Sequence, residues 1–248
     1  ITNTHINKGQ FEWIKIYIGY GVGGLSTIVT PDHLIYTKRG WVEAKNLTTD
    51  DEVLIYSYKL SKDERQIIIG TLLGDGYLDR QSVKPMLRMG QSIRQKDWLM
   101  QKIKMLNFLS SKYIIGNEVE KTICDNKRPS IIHAITSYSK RMLELEEFSK
   151  FYRGRKKVIT RKFLDELDLL GLSVWFMDDG SFWKDKRWDA WTVSLHTEGF
   201  SDDDVLKIVD YFREKWKLNA HISHKSEGHI YLRFYGDDAR WLLDNLYI

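Results

Sequence analysis

Cysteine is nearly absent from this chain of 248 residues: Cys124 is the only one. A single cysteine excludes a disulfide framework and a cysteine-based zinc site, and leans toward an intracellular setting. Charge of one sign is also in short supply. Lys and Arg number 38 against 34 Asp and Glu, a formal net charge of +4. So mild an excess permits a nucleic-acid partner without demanding one, and it excludes a polybasic tail protein. Long hydrophobic runs are missing. The most apolar early stretch, Ile14 to Val29, is interrupted by Lys15 and four glycines, short of the ~20 residues a membrane span needs. No basic start followed by an apolar run opens the chain, so secretion is not expected and a cytoplasmic or organellar location is. With 42% hydrophobic and 29% charged residues, wholesale disorder is excluded.

What is present is a rich aromatic supply, nine Trp, 13 Tyr and 10 Phe, in a length suited to one or two domains. Residues 1–60 alternate in strand fashion. Trp13-Ile14 through Ile18, Thr27-Ile28-Val29, Leu34-Ile35-Tyr36, Trp41-Val42 and Val53 to Tyr56 are short β-rich runs between Gly and Asp turns. They predict a small all-β unit. Ser61 followed three residues later by Glu64 reads as a helix cap, which puts a domain boundary after residue 60.

From 61 onward the chain repeats itself. Gln66 to Gly76 is an apolar helix ending in Asp-Gly, and Leu170 to Gly180 is another. Gln91-Ser92-Ile93 leads into a helix with Trp98, Leu99, Ile103 and Leu106; Glu198-Gly199-Phe200 leads into one with Val205, Leu206, Val209 and Phe212. Residues 131–135 then correspond to 229–233. The expected fold is α+β: two pseudo-twofold-related αββαββα repeats, 61–152 and 153–248, with saddle-shaped antiparallel sheets.

Gly70 and Gly74 sit four apart in a helix of Ile and Leu. Mid-helix Gly costs about 1 kcal/mol relative to Ala, so a close helix partner is expected, with Ser173 and Val174 as the compact region of helix two. Such packing brings Asp75 and Asp179 together at the base of the pair. A carboxylate there faces the negative end of its helix dipole, and two side by side repel. Divalent metal relieves both problems; oxygen ligands suit Mg²⁺, and metal beside a phosphodiester supports hydrolysis. One apolar helix ending Asp-Gly is an ordinary stop signal; two in matching contexts are not.

IIIGTLLGDGYL (67–78) and LSVWFMDDGSFW (172–183) resemble the paired motifs of the LAGLIDADG homing endonucleases. WFMDDGS, with KKVI (156–159) before it and LHTEGFS (195–201) after it, is similar to the single-chain branch that includes a yeast mitochondrial intron endonuclease. The resemblance implies site-specific double-strand DNA cleavage at a long asymmetric target with 3′ overhangs, by a monomer. It implies Mg²⁺ dependence, with Mn²⁺ substituting and Ca²⁺ binding without cleavage. Asp75 and Asp179 match the family's metal-binding aspartates, and the carbonyls of Gly74 and Asp178 are implied as further ligands. Gln91 matches a polar residue near the active site, with Glu198 as its counterpart. Lys157 matches a flanking basic residue, whose partner in the second half would lie beyond Ile248. An intron-RNA maturase on the same fold is the alternative.

The run Lys150 to Lys162 holds seven bases and no acid, a phosphate-binding composition beside such a motif. Long sites are read by β-ribbons in the major groove. The candidate DNA-facing residues are Arg80, Gln81, Lys84 and Arg88, then Lys127 and Arg128, in the first repeat. In the second they are Lys184, Lys186, Arg187, Trp188, Ser194, His196, His224 and Arg233. Asp202-Asp203-Asp204 and Glu144, Glu146 and Glu147 are expected to face away.

Val29 to Leu47, with Thr30 and His33, resembles a block of the intein and hedgehog-type (Hint) splicing fold. There the Thr-x-x-His pair helps activate a peptide bond. The chemistry also needs Cys or Ser at the start and His-Asn at the end. This chain starts with Ile1 and ends Leu246-Tyr247-Ile248, so splicing by it is not expected, and residues 1–60 read as an intein-like scaffold.

Overall fold

The computed structural model describes residues 12–18, 25–54, 58–82, 84–106, 114–115, 119–125, 128–187, 189–225 and 230–246. The chain divides into two units, Ile1–Ser57 and Tyr58–Ile248.

The first unit carries two antiparallel hairpins. Strand β1 (Ile14–Ile18) pairs with β2 (Leu25–Val29), and β3 (Leu34–Thr37) with β4 (Gly40–Glu43). Gly40, at φ 101°, makes the turn into β4, a conformation open to glycine alone without strain. The Thr30 side chain bonds the Asp32 carboxylate and lowers its pKa; His33 is exposed.

The second unit begins with α1 (Lys62–Leu73). Ser61 caps it: the Ser61 side chain accepts from the Glu64 amide while the Glu64 carboxylate accepts from the Ser61 amide. Ile67, Ile68, Ile69, Leu72 and Leu73 are all buried, so the C-terminal half of α1 is a central helix enclosed on all sides. Strands β5 (Gly76–Asp79) and β6 (Met86–Ser92) follow, then α2 (Lys96–Met105), β7 (Ile114–Ile115), β8 (Val119–Asp125) and β9 (Arg128–Tyr138). A 3-10 stretch, Leu143–Phe151, and the short strands β10 (Tyr152–Arg153) and β11 (Lys156–Lys157) lead to α3 (Arg161–Glu166).

The second repeat runs α4 (Leu169–Asp179), β12 (Gly180–Asp185), β13 (Ala190–Leu195), α5 (Asp202–Tyr211), β14 (His221–His224), β15 (Ile230–Tyr235) and α6 (Gly236–Asn245). Its sheet has the order β12-β13-β15-β14, and the first has β5-β6-β9-β7, with β8 also on β9. The registers match too. Gly76 stands opposite Met89, and Gly180 opposite Leu195. Leu78, Leu87 and Met89 of one sheet and Val193, Leu195, Leu232 and Phe234 of the other face a shared core. The stripe Leu99, Ile103 and Leu106 packs behind the first sheet; Val205, Ile208 and Phe212 pack behind the second. Each such side chain contributes about 1.5–3 kcal/mol on burial.

The two central helices touch through glycine. A Cβ added at Gly70 would lie 2.3 Å from the Gly171 carbonyl oxygen and 2.8 Å from Val174 Cβ. One added at Gly171 would lie 2.7 Å from Gln66 Oε1. The small residue of helix two is therefore Gly171. Ser173 instead turns its hydroxyl onto the Leu169 carbonyl at 2.7 Å.

Candidate active site

Asp75 follows the C-terminus of α1, and Asp179 closes α4. Burial raises the pKa of Asp179 to about 7, with the charges of Asp75 and Asp178 adding to it. Asp75 is raised as well, by desolvation first and then by Asp178. Its side chain reaches solvent, so the pair lies at an open crevice. Lys157, on β11, donates to the Gly74 carbonyl at 2.7 Å. Burial lowers its pKa, and the nearby carboxylates of Asp179, Asp75 and Asp178 oppose the shift.

Asp178, grouped with the metal ligands on sequence, has its carboxylate turned inward. It accepts from Lys102 Nζ at 2.7 and 2.9 Å, Gln91 Nε2 at 2.8 Å and Trp98 Nε1 at 2.7 Å. Both side chains of the ion pair are 0% exposed. All the donors belong to the first repeat and the acceptor to the second. With its lone pairs occupied, that carboxylate is an internal anchor, and only the Asp178 carbonyl is left for a metal. The Gly74 carbonyl, the other expected ligand, is held by Lys157.

Gly74 is the repeat-related partner of Asp178, and a Cβ there would meet Asp178 Cβ at 2.5 Å. A second aspartate has no room. Strand register also revises one pairing. Counting from Met89 and Leu195, Gln91 corresponds to Thr197 and not to Glu198. Thr197 is buried and donates to the Ile230 carbonyl at 3.3 Å. Gln91 keeps its Oε1 buried without a hydrogen-bond partner, while the side chain bonds both Asp178 and Asp75.

Glu198 belongs to another group. The His196 amide donates to the Asp179 carbonyl at 2.9 Å. Its ring bridges Ser181 Oγ at 3.3 Å and Glu198 Oε1 at 3.1 Å, and stacks on Tyr231. Desolvation would raise the Glu198 pKa, but bonds from Lys225 and His196 hold it below the usual range.

Sequence reasoning missed Lys102 and Trp98. The signal was there: Lys102 falls on the stripe Leu99, Ile103, Leu106, and a lysine on an apolar stripe calls for a buried partner.

The expected DNA-facing residues divide. Gln81, Arg88, Lys184, Lys186, Arg187 and His224 are exposed, and Lys84, His196 and Arg233 partly so. Arg80 bonds the Gly154 carbonyl and lies over the Tyr152 ring. Ser194 is buried. Lys127 and Trp188 lie outside the described residues, as does the side chain of Arg128. Arg161, in the basic run, pairs with Asp165 and Glu214.

Among the described residues no group of three or more His, Cys, Asp or Glu side chains is arranged to hold a metal ion. The donors at the crevice are oxygens: the carboxylates of Asp75 and Asp179 and backbone carbonyls. That set fits a hard cation that keeps waters and shares itself with phosphate, and it does not fit zinc.

Paired helices ending in aspartates, each leading into an antiparallel sheet, define a site shared by two repeats. A family model described as the LAGLIDADG DNA endonuclease family matches residues 65–242. The chain belongs to that family. Proteins named Protein RecA are similar to it: that of Mycolicibacterium flavescens is 33% identical over 228 residues, covering 86% of this chain and 50% of its own length. That of Mycobacterium shimoidei is 30% identical with the same coverage. The chain thus spans about half the length of these relatives. The probable intron-encoded endonuclease 1 of Wickerhamomyces canadensis is 27% identical over 192 residues, 72% of this chain and 79% of its own. Among solved structures, the homing endonuclease I-WcaI bound to its DNA recognition sequence matches with a TM-score of 0.64 at 19% identity, over 76% of this chain and 82% of that one. At that identity the likeness speaks for the fold.

Proposed function

We propose that the chain makes a staggered double-strand break at a specific, asymmetric DNA site, with Asp75 and Asp179 holding divalent metal. The observation that carries this is the pair of carboxylates at the joined ends of α1 and α4, each raised in pKa by burial and by neighbouring negative charge. Such a pair is stable in charged form once cations share it. Mg²⁺ would supply charge neutralisation and an activated water beside the scissile phosphate. The protein's own part is positional. Gly70 and Gly171 set the helix approach, Asp178 fixes α4 to the first repeat, and Lys157 places a cation among the carboxylates. The Gly74 carbonyl has a second lone pair beyond the one Lys157 occupies, which can serve a cation, and the Lys157 ammonium keeps two further N–H donors for a phosphate oxygen. Mn²⁺ should replace Mg²⁺, while Ca²⁺ should support binding alone.

The test is cleavage of plasmid libraries carrying random inserts. Asp75→Asn and Asp179→Asn should each abolish double-strand cleavage and keep DNA binding in Ca²⁺. Retained cleavage in both would overturn the reading, and tighter binding to intron RNA than to DNA would favour a maturase.

The RecA-named relatives favour an added role for the first unit. Their alignments cover 86% of the chain, more than the 65–242 matched by the family model, so they reach into flanking segments. We propose that residues 1–60 are part of a splicing-type module through which the nuclease is carried inside a host protein. Expression of the complete natural reading frame, followed by intact-mass measurement, tests this; one unprocessed product would count against it.

A further inference from the structure

Each repeat holds one arginine against aromatic rings at the same rung of its sheet. In the first sheet that rung is Tyr77, Arg88 and Tyr138. In the second it is Ser181, Ser194 and Arg233. Both rungs start two residues after the site aspartate. The Arg88 guanidinium carbon lies 5.1 Å from the Tyr138 ring centroid. That of Arg233 lies 5.3 Å from Trp183 and 5.0 Å from Tyr231. Both arginines stand on the sheet face opposite Leu87, Met89, Leu232 and Phe234, which are buried in the core. Among the described residues no carboxylate pairs with either.

Four other arginines are engaged within the protein. Arg80 is bonded to Gly154, Arg141 to Asp79, Arg161 to Asp165 and Arg213 to Asp210. Arg233 is built into its place: its Nε is buried without a partner, as is Ser194 Oγ on the same rung. Arg88 lines a surface groove of about 560 Å³ with Tyr77, Asp79, Arg80, Gln81 and Arg155. A guanidinium packed over a ring has already lost part of its rotamer freedom, so less entropy is lost on binding. Arg88 Nη2 makes one long bond to the Tyr138 hydroxyl, at 3.5 Å; the remaining N–H groups can present two parallel donors, the complement of guanine O6 and N7 in the major groove.

We propose that Arg88 and Arg233 each read one guanine, one in each half of the DNA target. This rests on the DNA-cleavage reading above. The two arginines share a rung but occupy neighbouring strands of their sheets. Strands are ~4.8 Å apart and base pairs ~3.4 Å, so the guanines fall at equal distances from the centre of the site to within about two base pairs.

The experiment is deep sequencing of cleaved members of a randomised target library, in Mg²⁺, for the wild type, Arg88→Lys, Arg233→Lys and Trp183→Leu. The wild type should require a G·C pair at one position in each half. Each lysine variant should lower that preference about ten- to a hundredfold at its own position and nowhere else. Trp183→Leu should weaken it in part, at the Arg233 position only. Uniform weakening at every position, with a shallower salt dependence, would make these residues phosphate contacts and overturn the inference. Profiles identical to wild type would overturn it while leaving DNA cleavage intact; a library uncut by the wild type would sink both. Where a lysine variant fails to fold, judged by thermal melting, the glutamine variant at that position is read in the same way.

Discussion

Lys102 Nζ lies 2.7 Å from Asp178 Oδ1, and neither side chain has any exposed surface. One charge comes from α2 of the first repeat and the other from α4 of the second. The pair joins the repeats beside the site, with Gln91 and Trp98 completing the carboxylate's hydrogen bonds.

Removing one partner strands the other. Lys102→Met should destabilise the protein by about 3–5 kcal/mol, because a dry carboxylate is left without its countercharge. Lys102→Met with Asp178→Leu should cost clearly less than the sum of the two single changes. Urea unfolding of the four proteins closes the cycle. Additive losses would mean the ion pair does not couple the repeats.

The helix contact makes a second prediction. A Cβ at Gly70 would be 2.3 Å from a backbone oxygen of α4, an atom that cannot rotate away. Gly70→Ala should therefore cost about 3 kcal/mol, although alanine is the better helix former. Gly199→Ala is the control: nothing lies within 4 Å of its added Cβ, so its effect should stay within about 0.5 kcal/mol. Equal melting temperatures for the two variants would refute close approach at Gly70.

How much of this was legible in the residues follows from what each signal encodes. The repeated apolar helix ending in Asp-Gly, the Gly70–Gly74 spacing and the Ser61–Glu64 box are local patterns, and they carried the central helices and the cap. For Asp178 the sequence named only the carbonyl as a ligand and left the carboxylate's partners unknown, because adjacency to Asp179 says nothing of direction. Successive residues at a helix end point about 100° apart, so one carboxylate faces the crevice and the other the interior. The Gln91–Glu198 pairing failed for a similar reason. Both are polar residues near a helix start, and only the sheet register shows that Thr197 takes the place of Gln91. Gly171 escaped notice because it lies a turn earlier in α4 than the glycines of α1 suggested.

Lys157 lies beside the proposed chemistry by its partners: the Gly74 carbonyl and the charges of Asp179, Asp75 and Asp178. Lys157→Met should lower the cleavage rate about a hundredfold or more, the usual loss for one positioned donor to a developing charge. Binding in Ca²⁺ should change only a few-fold, because a single phosphate contact is one of many. Single-turnover cleavage and binding titrations separate the two. Unchanged cleavage would leave Lys157 a structural tie to α1.

Asp179 makes a pH-dependent prediction for the metal-free protein. Its pKa is about 7 when folded, against an ordinary 3.8. Below pH 4 it is protonated in both states and costs nothing. Between pH 4 and 7 the unfolded chain releases the proton while the folded chain keeps it, so stability falls as pH rises. The loss reaches on the order of 4 kcal/mol by pH 8, at about 1.4 kcal/mol for each pH unit that separates the folded and unfolded pKa. Asp179→Asn removes the titration. It should therefore match the wild type near pH 4 and exceed it in melting temperature at pH 8, in chelator. Added Mg²⁺ should reverse that order at pH 8, since only the wild type retains both carboxylates for the cation. Parallel melting curves for the two proteins across pH 4–8 would show that Asp179 is an ordinary solvated carboxylate, and would remove the electrostatic reason for placing metal there.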